Sequence, residues 1–216
     1  MQYYTIPNDL GINAHLDKGL GLIQYSSKGD SIRHRVLFDS NLFSFVLRGE
    51  KLIHGESKPL LIDPNSFVAI KCGKCLMTEK AARGEYQSLL FFFSDTYLQK
   101  MAERYYPKGY LVQNPNNIVR FKHSNFSRHL RESLSLLSRQ NSTNLPMLEL
   151  KLEEIFLHLF QTQPQLLISL MKGKQNEAEL KFKQVVENNL LLGLKLEELA
   201  FLTLTNIDKK QKAHQT

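Results

Sequence analysis

The sequence predicts an α+β protein, with a β-rich first half followed by a helical second half. Three observations carry this. Short apolar runs bounded by turn residues recur as far as about Ser94. Pro64-Asn65 and Cys72-Gly73-Lys74 put turn chemistry between those runs. From Asp95 onward, apolar residues recur at three- and four-residue spacing.

The first half reads as Gly21–Ser27, a turn at Lys28-Gly29-Asp30, then Ser31–Phe38. Leu42–Gly55 reads as a hairpin turning near Arg48-Gly49-Glu50. Pro59–Asp63, Ser66–Cys72, Cys75–Ala81 and Tyr86–Phe93 follow. Regular short strands of this kind predict a sandwich or small barrel. A helix over Asp95–Tyr106 is stopped by Pro107. Ser124 is a suitable N-cap for a helix reaching Arg139, with Phe126, Leu130, Leu134 and Leu137 on one face. Leu145–Gln161 carries Leu148, Leu152, Ile155, Phe156 and Leu159, and Pro164 suits the first turn of a helix over Pro164–Met171. Asn176 and Glu179 have the spacing of a capping box that opens a helix with Phe182, Val185, Val186 and Leu190 inward, followed by Leu196–Leu202.

Hydrophobic residues make up 42% of the 216 and charged residues 23%, ordinary globular values that argue against gross disorder. The formal charge of +7 fits a nucleic-acid partner, and equally a soluble protein with a lysine-rich tail. The N-terminus lacks the basic and apolar regions of a secretory signal. The longest apolar stretch, Leu89–Phe93, is strand-sized, far below the roughly 18 residues a membrane helix needs. A cytoplasmic chain with no membrane partner is expected.

Taken together, the β-half with LFSFVLRGEKLIHG and LLIDPNSFVAI, the helices after it, and FKQVVENNLLLGLKLEELAFLT resemble an AraC-type transcriptional regulator. The β-half is most similar to the branch with an ExsA-like sensing domain. The resemblance implies a cupin-like β-barrel that senses an effector, either a small molecule or a regulatory protein. It also implies a helical dimerisation region, hence a homodimer, and a helix-turn-helix DNA-binding domain. On it, residues 1–172 form the sensing and dimerisation domain, 173–176 a linker, and 177–216 the start of the helix-turn-helix domain. Phe182, Val185, Val186, Leu196, Leu199 and Ala200 match the helix-turn-helix scaffold.

The tail departs from the family's pattern. Where a reading helix rich in Ser, Phe and Arg is expected, Leu202 is followed by TLTNIDKKQKAHQT. A helix without an apolar face cannot pack on a core while docking in the major groove. Lys195 stands where a capping Ser or Thr is usual. The expectation is an incomplete helix-turn-helix: DNA is the partner of an intact relative, and its binding here is weak or absent. Lys209, Lys210 and Lys212 alone would release few counterions from phosphate.

Other motifs have simpler explanations. Cys72 and Cys75 form a CxxC, but zinc needs about four ligands and no second pair follows. A hairpin turn flanked by two half-buried cysteines is the expectation. His15, His34 and His54 are spread out and form no HxH, so no metal, cofactor or catalytic residue is expected. Phe43, Phe45 and Leu47 alternate with Leu42, Ser44, Val46 and Arg48 along one strand, and a polar group aimed into the barrel could orient an anionic or aromatic effector. The bulky Leu89–Phe93 points instead to a filled barrel. Leu148, Leu152, Ile155 and Leu159 have the spacing of a dimer seam, and the same spacing serves packing on the chain's own barrel. A stand-alone sensor or decoy that pairs with intact relatives is the alternative function, and a small cupin enzyme a more distant one.

Overall fold

The computed structural model describes residues 4–10, 18–54, 58–105, 116–122, 124–139 and 144–171. The linker and the helix-turn-helix scaffold residues lie outside this set. The strands are β1 (Tyr4–Ile6), β2 (Leu20–Lys28), β3 (His34–Phe38), β4 (Asn41–Arg48), β5 (Glu50–His54), β6 (Leu60–Ile62), β7 (Ser66–Ile70), β8 (Gly73–Lys80), β9 (Glu85–Phe93) and β10 (Ile118–Lys122). The helices are α1 (Asp95–Tyr105), α2 (Asn125–Ser138), α3 (Leu145–Thr162) and α4 (Pro164–Met171).

Two five-stranded sheets form, in the orders β1-β3-β8-β5-β6 and β10-β7-β4-β9-β2. The antiparallel pairs nest around the β5–β6 ladder: β4 with β7, β3 with β8, and β2 with β9. This is one long hairpin folded over and rolled up, the jelly-roll arrangement of cupin-like barrels. The α+β expectation is met, with the barrel in the first half and helices after it.

The Leu42–Gly55 hairpin is not formed as expected. β4 and β5 flank Gly49 but belong to different sheets, so the chain turns a corner rather than pairing with itself. Gly49 has φ +83°, and a Cβ there would sit 2.3 Å from the Lys80 carbonyl oxygen. No L side chain fits such an approach.

The second sheet is covered on both faces. On one, Leu42, Val46, Val68, Leu90 and Phe92 meet Val36, Phe38, Ile53 and Met77 of the first sheet. On the other, Phe43, Phe45, Phe67, Phe91, Phe93 and Phe121 meet the helices. Alternation therefore decides which core each residue enters rather than whether it is buried. It also divides the Leu89–Phe93 run: Leu89, Phe91 and Phe93 face the helices, and Leu90 and Phe92 the barrel interior.

Phenylalanines seat α3 on the sheet. Phe156 lies edge-on to Phe43 at 5.6 Å and to Phe93 at 5.7 Å between centroids, and those two stack at 5.0 Å. Phe67 stacks on Phe45 at 4.8 Å and on Phe121 at 5.2 Å, carrying the aromatic contact across β4, β7 and β10. Caps fix where the helices begin. Ser124 closes a capping box with Ser127 at the start of α2, and the Asn144 side chain accepts from the Met147 amide at the start of α3. Among the described residues no helix is long and apolar enough to cross a membrane.

Leu152 is wholly buried between α3 and the sheet, whereas Leu150 is 62% exposed on the same helix. Leu152→Ala should therefore cost about 2–5 kcal/mol of stability in chemical denaturation, and Leu150→Ala less than about 0.5 kcal/mol.

Candidate functional site

Of the residues singled out in the sequence, the proposed dimer seam is the most fully placed. Leu148, Leu152, Ile155 and Leu159 all enter the core between α3 and the second sheet, with exposures of 5% or less. They pack with the aromatic ladder of their own chain. The apolar surface that α3 leaves exposed is Met147, Leu150 and Leu157.

The expected hairpin turn flanked by half-buried cysteines is not formed: Cys72 lies in the connection between β7 and β8, which belong to different sheets, and Cys75 lies fully buried on β8, with no disulfide between them. The Cys72 amide donates to Asn41 Oδ1 at 3.2 Å, and Asn41 Nδ2 donates to Asp95 Oδ1 at 3.0 Å. The turn is thereby tied to the first residue of α1. Cys75 points into the barrel, where burial pushes its thiol up to about 12. His34 meets the Tyr4 ring edge-on, and His54 Nε2 lies 3.0 Å from Thr78 Oγ1. Among the described residues no three His, Cys, Asp or Glu side chains converge as a metal site would require.

The barrel interior holds polar residues that the sequence reading passed over. Lys51 on β5 and Glu79 on β8 are cross-strand partners in the first sheet. Ser44 on β4 and Tyr86 and Ser88 on β9 come from the second sheet. Lys51 is 2% exposed, and its Nζ crosses the barrel to donate to Ser44 Oγ at 3.0 Å. The Nζ also lies 5.8 Å from the centroid of the Tyr86 ring. Tyr86 and Ser88 are fully buried, and neither hydroxyl makes a hydrogen bond of good geometry. Glu79 is 7% exposed and accepts from Ser27 Oγ at 3.3 Å, while Tyr25, beside it, packs its ring 6.2 Å from that of Tyr86.

Each of these groups feels the others. Burial disfavours the Lys51 ammonium, but Tyr86 and Glu79 outweigh it and hold its pKa above the ordinary lysine value. Burial raises the Tyr86 phenol, with Lys51 opposing. Burial, then Glu79, raises Tyr25. A signal for this cluster was present in the sequence. Lys51 and Ile53 share the inward phase of β5, so a lysine falls where alternation calls for an apolar residue.

A family model described as the ExsA N-terminal regulatory domain matches residues 41–170, 130 of the chain's 216. The chain belongs to that family. The match spans the barrel from β4 and the helices through most of α4, and includes Lys51, Glu79, Tyr86 and Ser88. The resemblance to an AraC-type regulator with an ExsA-like sensing half is thus borne out. The barrel and helices are also similar to an apo variant of ToxT from Vibrio cholerae, at 12% identity and TM-score 0.55, over 93% of this chain and 77% of that one. ToxT from Vibrio cholerae O395 bound to (E)-4-(8-methylnaphthalen-1-yl)but-3-enoic acid matches at 11% identity and TM-score 0.50, over 91% and 76%. The AraC-like transcriptional activator CuxR matches at 12% identity and TM-score 0.48, over 84% and 65%. At such identities the likeness is one of fold. No curated protein sequence matches the chain.

Lys51, Cys75, Tyr86 and Tyr25 all hold their protons more tightly folded than unfolded. Their stabilising effect is complete below the unfolded pKa values and fades as pH rises through them. Stability should therefore fall from about pH 9 upward, where the unfolded thiol begins to ionise, and Cys75→Ala should flatten the first part of that fall in urea titrations. With a thiol reagent at pH 8, Cys72 should react in the native protein and Cys75 only on unfolding.

Proposed function

We propose that this chain is the sensing and dimerising part of an AraC-type transcriptional regulator, working in the cytoplasm, with its input read by the barrel and passed on by the helices. Membership of the ExsA N-terminal regulatory domain family, over a match that takes in both barrel and helices, carries the reading. The domain boundary at residues 173–176 belongs to the proposal. So does a helix-turn-helix scaffold of Phe182, Val185, Val186, Leu196, Leu199 and Ala200, with DNA as its partner.

The effector is a small molecule or a regulatory protein. The buried cluster of Lys51, Glu79, Ser44 and Tyr86 favours a small molecule, because polar groups placed inside an otherwise apolar barrel are what orient one. The solved ToxT complex with a naphthyl-substituted butenoic acid is in keeping with this. Effector binding would shift the populations of two arrangements of the helices that pack on the shared sheet.

We assign dimerisation, as part of this proposal, to the outward edge of α3 rather than to the seam of Leu148, Leu152, Ile155 and Leu159. Because the buried seam already packs on its own barrel, the surface left for a partner is Met147, Leu150 and Leu157. Leu152→Glu would bury a charge and unfold the chain, so it cannot test pairing. Leu150→Glu adds the charge at an exposed position. It should yield folded monomers by sedimentation and circular dichroism. Joined to a reporter DNA-binding domain that must pair to occupy its operator, the wild-type chain should restore repression and the Leu150→Glu variant should not. If the wild-type fusion fails to repress, the chain has no role as a dimerising regulatory unit.

A further inference from the structure

We propose that one flank of α2, with the exposed face of β10, is a contact surface for the phosphate backbone of duplex DNA. Arg128, Arg131 and Arg139 of the α2 region and Arg120 and Lys122 of β10 would carry it. The inference rests on the reading of the chain as part of a regulator whose partner is DNA. It adds a contact in the barrel-and-helix half, outside the helix-turn-helix.

The first observation is where the charge lies. Residues 1–172 hold 21 of the 28 Lys and Arg but 15 of the 21 Asp and Glu. Nearly all of the net charge of +7 therefore sits in the barrel and helices, and the lysines near the end of the chain do not account for it.

The second observation is how part of that charge is arranged. The buried residues of α2 are Ser127, Leu130 and Leu134. Arg128, Arg131 and Ser135 each follow one of these, so they form a row about 100° round the helix from the core face. Arg139, at the C-cap, continues the row at the spacing of one turn. From Arg128 to Arg139 it is about 16 Å long. On β10, Val119 and Phe121 are buried, while Arg120 and Lys122 share the opposite, exposed face. Both sets meet at the turn between β6 and β7. Arg131 Nη1 donates to the Pro64 carbonyl oxygen at 3.0 Å, and Arg120 Nη2 lies 3.8 Å from Asp63 Oδ1.

The third observation is how little opposes these cations. Among the described residues, Lys122, Arg128 and Arg139 make no ion pair. Arg131 uses one of its five donors. Asp63 Oδ1 already accepts from the Ser66 hydroxyl at 2.8 Å and the Asn65 amide at 3.1 Å. Glu132 tempers Arg131 but is paired with His129 at 3.7 Å. Burial disfavours the Arg131 guanidinium, and Arg128 beside it adds to the effect.

The composition of the surface selects the partner. A protein interface needs an apolar centre, and this row holds arginine and serine. Arginine, lysine and serine are the side chains that meet phosphate oxygens, and the guanidinium fork matches a phosphate in two bonds. A row of separated cations fits a polyanion with regularly repeated charge better than it fits one small anion.

The test is fluorescence anisotropy of the full chain with labelled duplex DNA of arbitrary sequence, from about 50 to 200 mM salt. Binding whose affinity falls steeply with salt is expected. Arg128→Gln with Arg139→Gln changes two exposed positions and should leave the fold intact by circular dichroism. That pair should make the slope of log affinity against log salt shallower by about 2, with at least a tenfold loss at the lowest salt. The same loss should appear in a chain that also carries Lys209→Gln, Lys210→Gln and Lys212→Gln. Polyglutamate at equal charge should not displace the DNA.

No binding to duplex DNA would overturn the inference. So would an unchanged slope in folded Arg128→Gln/Arg139→Gln, or binding that vanishes with the three lysines alone. Displacement by polyglutamate would reassign the surface to an acidic protein and overturn it too. Repression by the reporter fusion without duplex binding by the full chain would defeat this inference alone. Duplex binding through this surface in a chain whose fusion does not repress would defeat the regulatory reading alone.

Discussion

A β-sheet buried on both faces is the constraint on which the rest of this structure depends. The central strands β4 and β9 send one set of side chains to the barrel and the other to the helices, and both sets are apolar. Neither the barrel nor the helical layer can therefore be removed without exposing large aromatic surface on the other side. Sensing half and helical half share one sheet, and α3 is bolted to it through Phe156, Phe43 and Phe93. A change in how β4 and β9 sit in the barrel reaches α3 through direct contact.

That arrangement bears on where the molecule can pair. A helix that uses its widest apolar face to close a core has only its outer edge left for a partner. On α3 that edge is interrupted by Lys151 and Glu154, which bond to each other at 2.8 Å. Arg104 and Tyr105 of α1 both contact the Glu153 carboxylate, which ties α1 to α3 on the flank of the helical layer. Exposed ion pairs of this kind add little stability, but they orient the helices relative to one another.

How much of this was legible in the sequence depended on the range of the interaction involved. Helix positions follow from local spacing, caps and prolines, and the expected bounds of α1 to α4 fall within a residue or two of those observed. Strand pairing is different. β2 pairs with β9 across more than half of the first hundred residues, and no local pattern announces such a partner. Gly49 looked like a hairpin turn because its neighbours have hairpin chemistry; only the sheet membership of β4 and β5 shows it to be a corner. Leu148, Leu152, Ile155 and Leu159 illustrate the same limit, since a seam towards a partner and a face towards one's own core obey one spacing rule. Lys51 could have been found, because a lysine in the inward phase of a short strand breaks alternation. Its significance depended on Tyr86 and Ser88, which lie far along the chain on another sheet.

The central claim is that barrel and helices act as one device through their shared sheet, and amide hydrogen exchange of the full chain with and without the barrel-face substitution Val46→Ala tests it most directly. Faster exchange in β4 and β9, extending across the sheet to α3 around Ile155 and Phe156, is the predicted result. Faster exchange confined to the barrel strands, with α3 exchanging at an unchanged rate, would contradict it.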